Sequence, residues 1–124
     1  MSNQKILIIE DESALLDIYV TLLKEQGFEV DGARDGQEGL DKMLIGGYDL
    51  VLLDIIMPRL NGKDVLLKYK EITPKSPNKK IVPLTNLIDG PMIEELHSLG
   101  AVGFLLKSNY TPDQFIIEVK KLLE

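Results

Sequence analysis

Five short apolar runs alternate with five segments of helical spacing, and acidic residues stand where two of the runs end. This alternation predicts an α/β fold: a doubly wound, five-stranded parallel sheet, (βα)5, with helices on both faces. The chain of 124 residues suits one domain spanning residues 1–124. A chain of that size buries about two thirds of its unfolded surface and needs no disulfide or metal staple.

Each element has its own signal. Residues 5–10 contain the run Ile6-Leu7-Ile8-Ile9, which reads as a strand buried on both faces. Ser13 is placed to cap a helix in which Leu15, Leu16, Tyr19, Leu22 and Leu23 recur at helical spacing, closed by Gly27. Residues 28–33 form a second strand. Asp35 and Glu38 open the next helix in the manner of a capping box, with Leu40, Met43 and Leu44 inward and Gly46-Gly47 as its stop. Gly39 inside that helix costs about 1 kcal/mol relative to alanine, so a weaker helix is expected. Residues 50–53 form the third strand, stopped by Asp54 and Pro58, and Gly62 precedes a helix with Val65, Leu66 and Tyr69. Residues 73–80, rich in proline and lysine, read as a loop. Residues 81–85 make a fourth strand in which Pro83 removes one ladder donor. A helix from Gly90 to Leu99 and a fifth strand over residues 102–106 follow. Thr111-Pro112-Asp113-Gln114 opens a last helix with Phe115, Ile116, Val119, Leu122 and Leu123 inward.

Composition excludes several functions. Without cysteine there are no zinc–thiolate sites, iron–sulfur clusters, thiol nucleophiles or disulfides, and His97 alone makes no histidine cage. His97 itself reads as a solvated helix residue. The net charge is −6, and residues 1–54 carry 12 acidic against 4 basic side chains. Such a chain is a poor direct binder of nucleic acid. No apolar stretch reaches the roughly 20 residues of a membrane span. Residues 1–5 lead straight into a strand rather than a signal peptide. The expectation is a soluble cytoplasmic protein with no membrane contact. The Asn109-Tyr110-Thr111 sequon therefore has no glycosylation meaning, and Lys68, Lys70, Lys75, Lys79 and Lys80 read as a solvated face.

Ligands of open parallel sheets gather at the carboxyl ends of the strands. Strand one ends in Glu10-Asp11, strand three in Asp54, strand four in Thr85, and strand five near Lys107. Three crowded carboxylates repel unless a cation sits among them. A hard divalent ion such as Mg²⁺ suits oxygen ligands of this kind. With a lysine and a hydroxyl for a dianionic group, this is equipment for phosphoryl transfer. Asp54 follows an unbroken apolar run, so it is expected to be the least solvated carboxylate, and it is the candidate nucleophile.

The chain resembles the receiver domain of two-component response regulators over nearly its whole length. The resemblance rests on Ile8-Ile9-Glu10-Asp11-Glu12, Ala33-Arg34-Asp35-Gly36-Gln37-Glu38, and residues 49–58 with Asn61-Gly62, followed by Thr85 and Gly103-Phe104-Leu105-Leu106-Lys107. It implies a flavodoxin-like fold and a phosphorylation-activated signalling switch rather than a turnover enzyme. Asp54 would accept a phosphoryl group from the phosphohistidine of a sensor histidine kinase or phosphotransfer protein, or from a small donor such as acetyl phosphate. Asp11 and Asp54 would bind Mg²⁺ directly, Glu10 mainly through water, and Ile56 through its backbone carbonyl. Thr85 and Lys107 would grip the phosphoryl oxygens. Phe104 would rotate inward as Thr85 moves. The output surface would be helix four, strand five and helix five, serving a downstream protein, a fused output domain or a homodimer.

Some positions depart from the family pattern. Ser108 follows Lys107 where proline with a cis bond is usual; a cis bond before serine costs about 3–4 kcal/mol, so a trans bond and a rearranged loop are expected. The aim of Lys107 depends on that loop. Asn86 stands where a small residue is usual and narrows access to Asp54 or bonds the phosphate. Ile56 and Leu87 occupy positions that tune phosphate lifetime, and being apolar they orient no water. Two alternatives stand beside the switch: a pseudo-receiver interaction module that is not phosphorylated, and a small Mg²⁺-dependent phosphohydrolase.

Overall fold

The structure is a computed structural model and describes residues 3–86, 89–107 and 110–124. The elements run β1 (Lys5–Ile9), α1 (Ser13–Glu25), β2 (Glu29–Ala33), α2 (Gly36–Ile45), β3 (Leu50–Asp54), α3 (Gly62–Glu71), β4 (Lys80–Thr85), α4 (Gly90–Ser98), β5 (Leu105–Leu106) and α5 (Pro112–Leu123). All pairings are parallel and the strand order is β2-β1-β3-β4-β5. The expected doubly wound sheet is therefore present.

Side chains alternate across the sheet, so β1 divides its apolar run between two cores. Ile6 and Ile8 pack with Leu16, Tyr19 and Leu23 of α1 and with Phe115 and Val119 of α5. Leu7 and Ile9 pack with Leu40 and Met43 of α2, Val65 and Leu66 of α3, and Leu96 of α4. Every residue of β3 is buried. Because the order reverses beside β1, the crevice opens at the carboxyl ends of β1 and β3, where Glu10, Asp11 and Asp54 stand.

The structure corrects several details. Ser13 is the first helical residue of α1 rather than its cap; Glu12 holds the cap position without a side-chain bond. The Glu12 N–H donates to Glu10 Oε2 (3.0 Å), so the turn is organised around the acidic site. Gly62 lies inside α3, where Asn61 and Asp64 form a capping box. Strand five shrinks from residues 102–106 to Leu105–Leu106, because Gly103 at φ +58° interrupts the extended backbone and delays the start of the strand. Gly39 has a packing reason: a Cβ there would meet Ile9 Cδ1 at 2.5 Å, so glycine lets α2 lie close on β1.

Pro83 costs the β3–β4 ladder nothing. The carbonyls of Ile81 and Thr85 accept from Val102 and Lys107, whereas Leu84 accepts from Ile55. Odd-numbered residues of β4 thus face the short β5, and the missing N–H falls on that side.

At the opposite edge, Asp49 Oδ2 accepts the Lys5 backbone N–H (2.8 Å), and Lys79 Nζ lies 3.0 Å from Oδ1. The Lys5 bond, more than Lys79, holds the Asp49 carboxyl below its usual range against partial burial. Its contribution is complete above the unfolded-state value of about 3.9 and is lost as pH falls through the depressed folded value. Asp49→Asn is expected to cost about 1 kcal/mol or less in urea unfolding at neutral pH, with the deficit closing on acidification below about pH 4. A deficit that grows in acid contradicts this.

Candidate functional site

Asp54 ends the fully buried strand β3 and is 2% exposed, while Glu10, one residue past β1, is 0% exposed, so Glu10 rather than Asp54 is the most enclosed carboxylate. The parallel pairing of β1 with β3 puts these two acids side by side. Asp11 is half-buried beside them. Glu10, Asp11 and Asp54 each offer an oxygen within 4.8 Å of the others.

Lys107, one residue past β5, reaches back across β4 into this cluster. Its Nζ lies 2.7 Å from Glu10 Oε1 and 3.2 Å from Asp54 Oδ2. Lys107 is thus aimed into the site; Ser108, on which a rearranged loop was expected, lies outside the described residues, as does Leu87. Thr85, buried at the end of β4, accepts the Lys107 N–H through its carbonyl (2.9 Å). The Ile56 N–H donates to Asp54 Oδ1 (3.2 Å) while its side chain points to solvent, 57% exposed.

Burial pushes the Asp54 carboxyl up to about 7, and the Glu10 charge adds to that rise while Lys107 opposes it. Burial pulls the Lys107 ammonium down, but contact with Glu10 and the charge of Asp54 outweigh it and hold it above its usual value. Three carboxylates share one ammonium in a low-dielectric setting, so a further cation is favoured.

The residues fit a Mg²⁺ ion. Direct oxygen ligands at about 2.1 Å are at most about 4.2 Å apart across an octahedron. A spread of up to 4.8 Å therefore suits two direct carboxylates and a third bridged by water. Glu10 Oε1 touches Lys107 as an ion pair but lacks hydrogen-bond geometry with it, and is the buried side-chain oxygen left without a hydrogen bond among the described residues. Such an oxygen is available to a metal-bound water.

The other sequence-derived residues lie at the margin. Asn86 is exposed at the end of β4. Phe104 is 39% exposed and is not in the acidic cluster. His97 is exposed on α4, with Nε2 3.0 Å from the Gly103 carbonyl, which agrees with a solvated helix residue. Two participants were missed by sequence reasoning: the Ile56 backbone N–H on Asp54, and Tyr19, whose hydroxyl donates to the Lys107 carbonyl (3.3 Å). Tyr19 sits at an ordinary apolar position of α1, so only its being tyrosine rather than leucine gave any signal.

A family model described as the response regulator receiver domain matches residues 6–120. The chain belongs to this family. Receiver domains are regulatory domains of two-component systems rather than classical enzymes, which sets the phosphohydrolase aside. The transcriptional regulatory protein DltR of Streptococcus agalactiae is 41% identical over 73 residues, 59% of this chain and 33% of that protein. The chain thus spans about a third of the length of such curated relatives. Among solved structures, a CheY-like response regulator receiver domain protein of Methanospirillum hungatei superposes with a TM-score of 0.83 at 27% identity, covering 98% of this chain and 94% of that one. A receiver domain protein of Clostridium thermocellum gives 0.77 at 31% identity, covering 97% and 94%. Among the described residues, no helix is long and apolar enough to cross a membrane.

Proposed function

We propose that Asp54 is the phosphoacceptor of a Mg²⁺-dependent signalling switch. The observation that carries this reading is a carboxylate 2% exposed at the end of a central strand, with an ammonium at 3.2 Å and two more carboxylates beside it. One Asp54 oxygen attacks phosphorus, the P–N bond of a donor phosphohistidine breaks, and the imidazole leaves with its electron pair and takes a proton. With acetyl phosphate the leaving group is acetate. Asp11 and Asp54 would hold the metal directly, Glu10 through water, and the Ile56 carbonyl would add a protein ligand; Mg²⁺ bound there would supply charge neutralisation for the phosphoryl oxygens. Lys107 exchanges Asp54 for a phosphoryl oxygen, and Thr85 offers its hydroxyl to another.

The phosphorylated state then biases two conformations. Phe104 turns inward from its exposed position, and the surface formed by α4, β5 and α5 changes the partner it favours. A sensor kinase or phosphotransfer protein stands upstream, and a downstream protein, an output domain or a second copy of this surface stands downstream.

The test is incubation with acetyl phosphate and Mg²⁺, read by phosphate-affinity electrophoresis and by peptide mapping of the label. Label on Asp54 supports the switch. No label, with no change in amide spectra near Asp54 on adding beryllofluoride, makes the chain an interaction module instead. Because the aliphatic side chain of Ile56 orients no water, the phosphorylated protein is expected to hold its label for minutes or longer in Mg²⁺. A half-life of seconds contradicts that expectation.

A further inference from the structure

Lys107 is weakly restrained by the sheet. It follows a strand of two residues whose register with β4 has two pairs, Leu84 with Leu105 and Thr85 with Leu106. Its backbone is instead held from both sides. The N–H donates to the Thr85 carbonyl (2.9 Å), and the carbonyl accepts the Tyr19 hydroxyl (3.3 Å), which arrives from α1.

Tyr19 is well placed to act as a fixed point. Its ring is buried and stacks on Phe115 of α5, with centroids 4.5 Å apart and planes 21° apart. Two helices of the same layer therefore fix the ring's position independently of the hydroxyl's bond. Burial, with the Glu10 charge adding to it, pushes the phenol up to about 12, so the hydroxyl remains a donor at neutral pH.

We propose that Tyr19 is a positioning residue for phosphoryl transfer: its hydroxyl pins the Lys107 carbonyl and so aims the ammonium into the acidic site. This inference rests on the phosphoacceptor reading given above. Without the hydroxyl, the carbonyl turns toward water and the lysine side chain samples more directions. Phosphoryl transfer depends chiefly on positioning and charge neutralisation, so the loss falls on the transfer step. The metal ligands come from β1 and β3, whose ladders do not involve Tyr19, so metal affinity is spared.

The experiment compares wild type with Tyr19→Phe, which keeps the ring and its stack. At saturating acetyl phosphate and Mg²⁺, the rate of labelling is expected to fall about two- to tenfold, the range of one net hydrogen bond. The apparent Mg²⁺ affinity is expected to stay within error. In a Lys107→Ala background, Tyr19→Phe is expected to add nothing, because its partner's function is gone. A wild-type rate for Tyr19→Phe, or the same fold loss in both backgrounds, overturns the proposal. A second readout needs no phosphorylation: in the metal-free chain, Tyr19→Phe shifts the Lys107 carbonyl-carbon resonance and broadens its ε-methylene signal. Unchanged Lys107 signals overturn the proposal as well. If wild type takes no label, the phosphoacceptor reading fails, and the Lys107 resonances still decide whether Tyr19 positions it.

Discussion

Asp54→Asn is expected to take no label from acetyl phosphate while unfolding at higher denaturant than wild type in the absence of divalent ions. The first half follows from chemistry, since an amide nitrogen does not attack phosphorus at neutral pH. The second half follows from the charges. Glu10 and Asp54 are buried, Asp11 is half-buried, and Lys107 is the cation that the structure places among them. Removing one carboxylate leaves Lys107 with Glu10 and relieves both repulsion and desolvation, for a gain of about 1–2 kcal/mol. The hydrogen bond from the Ile56 N–H survives, because the asparagine side-chain oxygen accepts it in place of Oδ1. Mg²⁺ reverses the ranking: it raises the melting temperature of wild type and does less for Asp54→Asn, which has lost a ligand. Undiminished labelling of the variant removes Asp54 from the mechanism. A variant less stable than wild type without metal means that Asp54 is a structural partner of Lys107 rather than a carboxylate kept under strain for function.

The acidic site was legible because polar residues interrupt an otherwise apolar pattern. The run Leu50-Val51-Leu52-Leu53 has no reason to end in a buried acid unless that acid has a task, and the parallel sheet carries Glu10, Asp54, Thr85 and the Lys107 side chain to one edge. What sequence reasoning missed is set by contacts between distant residues. Tyr19 reads as one more apolar position on α1; its hydroxyl acquires a role only when α1 lies against the end of β5, 88 residues later in the chain. Asn78 sits in a segment that reads as a loop of prolines and lysines. There its side chain accepts the Tyr48 N–H (3.1 Å) and donates to the Met43 carbonyl (2.9 Å) and to the Tyr69 hydroxyl (2.9 Å), tying α2 and α3 to the start of β3. The contraction of strand five has a local cause instead: a left-handed Gly103 interrupts the extended backbone just before Phe104-Leu105-Leu106, so the strand starts late. Periodicity reports which face a residue occupies, and it is silent about which polar atom meets which across the fold.

The glycine that stops α2 carries a larger consequence than a helix stop requires. Gly46 has φ +79° and ψ −163°, a region essentially confined to glycine. A Cβ there would also run into the Ser76 carbonyl, and that carbonyl belongs to backbone that has little room to yield. Residues 75 and 76 are already committed, since their N–H groups donate to the last carbonyls of α2, Leu44 at 2.8 Å and Ile45 at 3.1 Å. Gly46→Ala thus meets two penalties, a strained backbone and a displaced segment that leaves helix-end carbonyls unpaired. The expected loss is about 3–5 kcal/mol in urea unfolding, a large share of the stability of a small domain. Gly27→Ala separates the two penalties: Gly27 has φ +91°, but a Cβ there meets nothing within 4 Å. Its loss is expected to stay near about 1–2 kcal/mol, from backbone strain alone. Because the Gly46 contact lies at the end of α2 away from the acidic cluster, folded Gly46→Ala protein is expected to label on Asp54 at the wild-type rate. Equal losses for the two variants would mean that residues 75 and 76 give way freely, and that their bonds to α2 hold nothing in place.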